Sequence, residues 1–426
     1  MMEREFKDSG TQGIGLIPQS WDSKQLGIFF SENRKANTGL ESVTALQFKY
    51  GEIIQKPNNG RDLSDKDKEL LSKYTVIEPG DVIVNGLNLN FDLKSLRIAI
   101  AREHGIITSA YISLRPRKYV NSEFYNYVLK ALDFQKILHG MGEGIRLTLS
   151  YDELKKLNVP SPDASIQSAI VSYLDKKCGE IDSLIGLQEQ MIEKLKAYKQ
   201  SVITEAVTKG LDPNAKLVPS GIDWIGEIPE GWSIDKVIRC FKKIGSGTTP
   251  KSTDDTLFEG NINWLQSGDI NGGDLYEASK HISEQTLASY SALSVYQAPF
   301  IIIAMYGASV GNISISHIDA CVNQACCVLS FSSLNFKYAF YALKSAKPYL
   351  IYRAEGGGQP NISQDKLKTL WIPRPPIEEQ HSIASYLDDK CSDIDRLIAL
   401  KQQKIEALKD YKKSVIYEAV TGKTEI

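Results

Sequence analysis

Residues 170–208, IVSYLDKKCGEIDSLIGLQEQMIEKLKAYKQSVITEAVT, return as residues 383–421, IASYLDDKCSDIDRLIALKQQKIEALKDYKKSVIYEAVT, with 26 of 39 positions identical and no gap. The offset is 213 residues, half of the 426-residue chain. Upstream, Ser150, Asp152, Leu154, Lys155, Leu157, Pro160, Pro162 and Gln167 recur at the same offset, within TLSYDELKKLNVPSPDASIQSAI (148–170) and NISQDKLKTLWIPRPPIEEQHSI (361–383). The beginnings match as well: SGTQGIGLIPQSW (9–21) aligns with SGIDWIGEIPEGW (220–232). Fixed-period self-similarity of this kind marks a repeated structural unit. The chain reads as one unit used twice.

Within the repeated stretch, Ile181, Ile185, Gln188, Ile192, Leu195, Lys199 and Val202 step by four and three. Ile394, Ile398, Lys401, Ile405, Leu408, Lys412 and Val415 repeat the pattern, the rhythm of a coiled-coil seam. Leu184, Met191 and Tyr198 widen the first stripe, and Leu397 and Tyr411 the second. A helix this polar is stable only with its stripe on a partner, and the best partner for each copy is the other. The expected packing positions are Ile181, Ile185, Ile192, Leu195 and Val202 against Ile394, Ile398, Ile405, Leu408 and Val415. At 1.5 Å per residue the paired stretch makes a rod of ~60 Å. Antiparallel pairing is expected, since it gives one chain an approximate two-fold axis.

The remainder of each unit, roughly 7–160 and 217–374, is mixed. Short β-type runs, DVIV (81–84), IITSAYISL (106–114), FIIIAM (300–305) and CVNQACCVLSF (321–331), are punctuated by Gly, Asn and Pro. Amphipathic helices are expected near 122–139 and 335–350, and TKGLDPNAKLVPSG (208–221) reads as a linker. The expected fold class is α+β: two mixed α/β domains joined by two long antiparallel coiled-coil helices, with an internal pseudo-two-fold duplication. The expected boundaries are a first domain at 1–162, a first helical spacer at 163–210, a second domain at 211–376 and a second spacer at 377–426.

Net charge is −2, with 42% hydrophobic and 24% charged residues. This argues against a histone-like cation, though not against a local basic face. The first globular part, 7–160, holds 21 Lys/Arg against 18 Asp/Glu, and the second, 217–376, holds 13 against 14. The opening MMEREFKDSG lacks the apolar run of a signal peptide. APFIIIAMYGASV (298–310) is shorter than the roughly 20 residues a membrane span needs. Six cysteines with no C-x-x-C pair read as buried, reduced thiols. A cytoplasmic protein with no membrane partner is expected.

Motifs for catalysis are missing. GSGTTPKS (245–252) lacks the Gly-Lys-Ser/Thr of a phosphate loop, GGGQPN (356–361) is no dinucleotide cradle, and no G-x-S-x-G elbow occurs. His104, His139, His281, His317 and His381 have no metal-ligand spacing. The expectation is a non-catalytic binder with no metal site and no cofactor. Loops such as ENRKANTG (32–39), NGLNLNFD (85–92), SGTTPKST (246–253) and WLQSGDING (264–272) carry short polar side chains suited to base edges and phosphates. They are equally the composition of solvated loops, and a coiled-coil scaffold whose globular ends bind protein is the alternative reading.

The motifs GEIPEGW (226–232), GSGTTP (245–250), WLQSGDI (264–270), GQPNIS (358–363) and IPRPPIEEQHSIASYLD (372–388), followed by the helix to GK (422–423), occur in this order. Together, and with the duplication, they closely resemble the specificity (S) subunits of type I restriction–modification enzymes, end to end. The resemblance implies two target-recognition domains, each reading half of a split double-stranded DNA site in the major groove. It also implies helices that separate the readers and dock two methyltransferase (M) subunits, which restriction/translocase (R) subunits join. S-adenosylmethionine, ATP and Mg would belong to those partners. Carried onto this chain, the second domain's DNA-binding residues would be Thr248, Thr249, Lys251, Gln266, Ser267, Asp269, Tyr306, Asn323, Gln324, Gln359 and Asn361. The first domain departs from the pattern, with GEGIRLTLS (142–150) for GGGQPNIS and FFSENRKANTG for GSGTTP. Its candidates are Arg34, Lys35, Asn85, Asn88, Asn90, Arg97, Thr108 and Arg146.

Overall fold

The structure, a computed structural model, describes residues 5–49, 51–57, 64–89, 96–142, 147–307, 309–354 and 361–426. It divides into two compact units. The first joins Met1–Glu189 with Gln402–Ile426, and the second is Gln190–Lys401. Each long helix is shared between them.

In the first unit, strand β1 (Asp22–Gln25) precedes β2 (Phe30–Glu32), β3 (Val82–Val84), β4 (Ile98–Ile100) and β5 (Ile112–Pro116). Strands β2 to β5 form an antiparallel sheet in the order β2-β5-β3-β4. The strands alternate faces as period two requires. Val82 and Val84 join one apolar cluster and Ile83 another, so β3 is wholly buried. Helix α1 (Ser122–Phe134) follows, its start capped by Asn121 Oδ1, which accepts the Phe124 N–H at 3.2 Å. Strand β6 (Asn158–Ser161) returns to pair with β1, and α2 (Ala164–Lys209) begins.

The second unit repeats this plan. Strand β7 (Ser233–Lys236) is followed by β8 (Phe241–Gly245), β9 (Asp274–Leu275), β10 (Phe300–Ala304), β11 (Ile313–Ser316) and β12 (Cys326–Ser332). The sheet order β8-β12-β10-β11 matches the first unit, with β9 added parallel to β11. Ile301 and Ile303 face one cluster, Phe300, Ile302 and Ala304 the other. Helices α3 (Phe336–Ser345) and α4 (Lys347–Tyr352) follow, then β13 (Trp371–Arg374), paired with β7, and α5 (Ile377–Val420). Asn335 caps α3 as Asn121 caps α1. Tyr127 donates to Asp175 at 2.7 Å and Tyr341 to Asp388 at 2.7 Å, tying each globular helix to the long helix that follows it.

The helices pair antiparallel within each unit. In the first, Ile170, Leu174 and Cys178 of α2 share a core with Val415, Ile416, Ala419 and Val420 of α5. In the second, Val202, Ile203, Ala206 and Val207 share one with Ile383, Ala384, Leu387 and Cys391. Lys412 meets Asp182 at 2.7 Å, and Lys199 meets Asp395 at 2.6 Å, the same pair 213 residues apart. Of the seam positions, Ile181, Ile192, Val202, Ile394, Ile405 and Val415 are buried, and Ile185, Leu195, Ile398 and Leu408 are half-buried. The flanking Leu184, Met191, Tyr198, Leu397 and Tyr411 are instead exposed. Two helices cover only a narrow seam, so the wider stripe stays open to solvent.

Several expected elements are interrupted. The run 321–331 is two strands, Cys321–Val322 and β12, with a turn at 323–325. The run 106–114 likewise splits into Gly105–Ile107 and β5. The helix expected over 335–350 restarts at α4, where Pro348 takes a first-turn position with no N–H to satisfy. The helix expected to 139 ends at Phe134, and Lys136 is left-handed at φ 62° before a 3₁₀ turn. All six cysteines are buried and free, and burial pushes the Cys321 thiol up to about 11. Among the described residues no helix is long and apolar enough to cross a membrane.

Candidate nucleic-acid interface

The strand registers gather loops at one end of each sheet. In the second unit, β8 ends at Gly245 opposite Val328, β10 ends at Ala304 opposite Cys326, and the turn 323–325 leads into β12. The loops after β8 and β10 and the turn before β12 therefore leave from the same edge. Backbone bonds lock them together. Gly247 N–H donates to Asn323 O at 3.4 Å, Asn323 N–H to Leu265 O at 3.0 Å, and Met305 N–H to Ala325 O at 2.7 Å. Ile362 N–H donates to Met305 O at 2.7 Å, and Tyr306 bridges Asn361. A Cβ at Gly247 would collide with the Val322 carbonyl oxygen, so only glycine lets the 246–251 loop lie this close.

This frame brings most of the second-unit candidates together. Thr249 donates its hydroxyl to Gln324 Oε1 at 2.5 Å. Thr248 O accepts the Trp264 indole N–H at 3.2 Å, and Lys251 N–H donates to Tyr290 Oη at 3.1 Å. Lys251, Gln324 and Asn361 are exposed; Thr248, Thr249, Gln266, Ser267 and Tyr306 are half-buried. Burial raises the Tyr306 phenol, which keeps it a neutral donor. Two members shape the loops instead. Asp269 Oδ2 accepts the Gln266 N–H at 2.8 Å, and buried Asn323 accepts the Ala325 N–H at 3.0 Å. Gln266 also donates to Ser279 Oγ at 3.1 Å. Gln359 lies outside the described residues. The sequence reading missed Gly247, Trp264 and Tyr290. Trp264 and Tyr290 act through their ring N–H and O–H groups at one end of otherwise apolar side chains.

The first unit holds equivalent loops by different chemistry. Asn33 turns inward, donating to Val76 O at 2.8 Å and to Ser113 Oγ and Asp81 Oδ2 at 3.3 Å. Buried Asp81 takes a bidentate pair from Arg115, at 3.0 and 2.6 Å. With Asn33 anchored, Arg34 and Lys35 stand exposed, paired to Glu32 at 2.8 Å and Glu41 at 2.5 Å. Asn85 Oδ1 accepts the Leu87 N–H, and Asn88 is exposed with left-handed φ 52°. Leu149 N–H donates to Gly86 O at 2.9 Å, the counterpart of the Ile362–Met305 bond. Thr108 closes the turn before β5, its carbonyl accepting the Tyr111 N–H at 3.3 Å. Asn90 and Arg146 lie outside the described residues.

Arg97 corrects the expectation made for it. It is 1% exposed, and a side chain so buried reaches no base edge. Its guanidinium is occupied by backbone carbonyls of the 85–88 segment.

No group of three or more His, Cys, Asp or Glu placed to hold a metal occurs among the described residues. The presented surface is made of amides, hydroxyls, a few cations and backbone groups, the inventory that pairs with base edges and phosphates.

Known proteins share this plan. Residues 229–410 match the family described as type I restriction modification DNA specificity domain. The chain is 25% identical over 437 residues to the type I restriction enzyme MjaVIII specificity subunit of Methanocaldococcus jannaschii, covering 100% of this chain and 97% of that one. It is 23% identical to the EcoR124I/EcoR124II specificity subunit of Escherichia coli, over 68% of this chain and 70% of that one. A solved structure described as the basis of complex assembly and conformational transition of the type I R-M system shares the fold. Its TM-score is 0.69 at 18% identity, over 95% of this chain and 98% of that one. With its duplicated helices and paired loop-bearing units, the chain is similar along its whole length to type I restriction–modification specificity subunits.

Proposed function

We propose that the chain is the sequence-reading subunit of a type I restriction–modification enzyme, each unit recognising one half of a split double-stranded DNA target. The observation that carries this reading is a contrast within one duplicated plan. The sheet order and the helix contacts recur, whereas the loops at the sheet ends differ in length and side chains. Recurrent surfaces suit identical partners; divergent loops suit different bases. In this reading the chain has no catalytic step. Two methyltransferase subunits dock through the repeated helical surfaces, and restriction/translocase subunits join them. S-adenosylmethionine, ATP and Mg are bound by those partners, in the cytoplasm where the DNA is. The near-zero net charge of the second globular part, 13 Lys/Arg against 14 Asp/Glu, leaves much of the phosphate clamp to the partners.

The test is an exchange of residues 245–361 for the corresponding segment of another specificity subunit, followed by mapping of the methylated motif in a host carrying the partner genes. One half of the motif is expected to change while the other stays. A change in both halves, or in neither, refutes the division of reading between the units.

A further inference from the structure

In each unit the β3–β4 or β10–β11 hairpin is tied at the residue before its second strand, but with the charges moved. In the first unit the place is Arg97, the residue before β4. Its Nη1 donates to Asn85 O at 3.0 Å and Leu87 O at 2.8 Å, and its Nη2 to Asn88 O at 3.4 Å. Its Nε donates to His139 Nε2 at 3.3 Å. Its own backbone N–H donates to Asp133 Oδ2, on α1, at 2.8 Å. In the second unit the residue before β11 is Asn312, whose Oδ1 accepts from Lys347 Nζ, on α4, at 2.7 Å. Its backbone oxygen accepts the Ala304 N–H at 2.9 Å. Lys347 follows Asp133 by 214 residues and Asn312 follows Arg97 by 215, close to the repeat offset. The cation sits on the strand end in one unit and on the helix in the other.

In the segment that leaves β3, the three carbonyls of Asn85, Leu87 and Asn88 are drawn inward by one planar guanidinium. Turning those carbonyls inward leaves the Asn88 side chain outside, at the sheet end where the other loops meet. Lysine could not reproduce this, because a point charge does not span three acceptors held by a rigid fork.

We propose that Arg97 and the Asn312–Lys347 pair are matched positioning residues, each fixing the presented face of its own unit's loop and so governing base discrimination in one half-site only. The proposal rests on the DNA-reading function above. It concerns residues that touch no base.

The experiment uses the full chain co-expressed with its methyltransferase partner. Methylation is compared across DNA panels carrying single base changes in either half of the target. Arg97→Met is expected to lose about tenfold of its discrimination in one half, of the order of one base mismatch, with the other half unchanged. Arg97→Lys recovers only part, and Lys347→Met produces the mirror-image loss in the other half. Co-purification with the partner stays near wild type for all three variants, and thermal unfolding stays near wild type for Lys347→Met, whereas Arg97→Met, which leaves inward-turned carbonyls without a donor, unfolds at a lower temperature. Should Arg97→Met fail to accumulate, Arg97→Lys and Lys347→Met decide. Folded variants with unchanged discrimination, or with equal loss in both halves, overturn the proposal. A wild-type chain that directs no split motif at all overturns the DNA reading instead.

Discussion

Lys344 offers a quantitative test of how the second unit is joined to its helices. It lies on α3, and its Nζ donates to the Gly272 carbonyl at 2.8 Å. Burial, reinforced by the neighbouring Lys199 and Lys347, pushes the ammonium down to about 8 from an ordinary 10.5, against opposing pulls from Cys391 and Asp395. The folded chain therefore binds fewer protons here than the unfolded chain, and stability rises with pH across about 8 to 10.5. Below that window the lysine is charged in both states, and keeping it charged in the fold costs about 3 kcal/mol. Lys344→Met removes this cost and forfeits one hydrogen bond to a carbonyl, worth about 1 kcal/mol. The variant is then more stable than wild type by about 2 kcal/mol at pH 7 and less stable by about 1 kcal/mol near pH 10.5, crossing between roughly pH 9 and 10. Urea unfolding followed by tryptophan fluorescence reads the right unit, because Trp224, Trp232, Trp264 and Trp371 all lie in it and only Trp21 does not. A stability difference that stays flat from pH 7 to 10.5 would refute the reasoning.

Two further outcomes follow from the helix seam and the loop frame. Lys199→Asp should lower second-unit stability by about 0.5–1 kcal/mol, since Lys199 is mostly buried while Asp395 is exposed, and adding Asp395→Lys should restore most of it; a double variant no better than the single, in urea unfolding at low and high salt, would show that the pair contributes nothing. Gly247→Ala drives a methyl into the Val322 carbonyl and should cost roughly 1–3 kcal/mol. It should weaken DNA discrimination in the second unit's half-site alone, measured on the same DNA panels, and unchanged discrimination would mean that the close approach of this loop is dispensable.

The long helices and the duplication were legible because they rest on local spacing, repeated over seven seam positions in each copy. The edges of the seam were not. Leu184 and Met191 satisfy a helical stripe, yet coverage depends on how many partners surround the helix, which no spacing states. The same limit explains the loops. Thr249, Gln324 and Asn361 have the composition of solvated turns and also meet at one sheet end, a convergence set by strand register across more than a hundred residues. Arg97 misled for the opposite reason. An arginine in an Asn-rich loop looks like a base reader, and only the position of β4 at the sheet, against α1, turns it inward. Asp81 with Arg115, 34 residues apart, is hidden in the same way.

The structural unit is not the sequence repeat. Residues 1–213 form one copy by sequence, but the core of the first unit is completed by Val415, Ile416, Ala419 and Val420 from the end of the second copy. The Tyr417 hydroxyl donates to the Ile14 carbonyl at 2.8 Å, across 403 residues of chain. Gly422, with φ 69°, lies where a side chain would strike Pro18 and Trp21, as Gly210, with φ 75°, lies against Trp232 and Pro229 in the second unit. Each globular part is thus closed by a helix end from the other's neighbourhood in sequence: the second by the helix that precedes it, the first by the last helix of the chain. The second unit lies in one continuous stretch, residues 190–401, whereas the first is assembled from two stretches and also needs residues 402–426. A contact of such sequence separation forms late, because the loop must be closed before its contacts reward it. The identity of the two helices then has a second physical basis beside shared partners: each must fit the same kind of globular seat, with a tryptophan at the helix end and a tyrosine–aspartate link at the helix start.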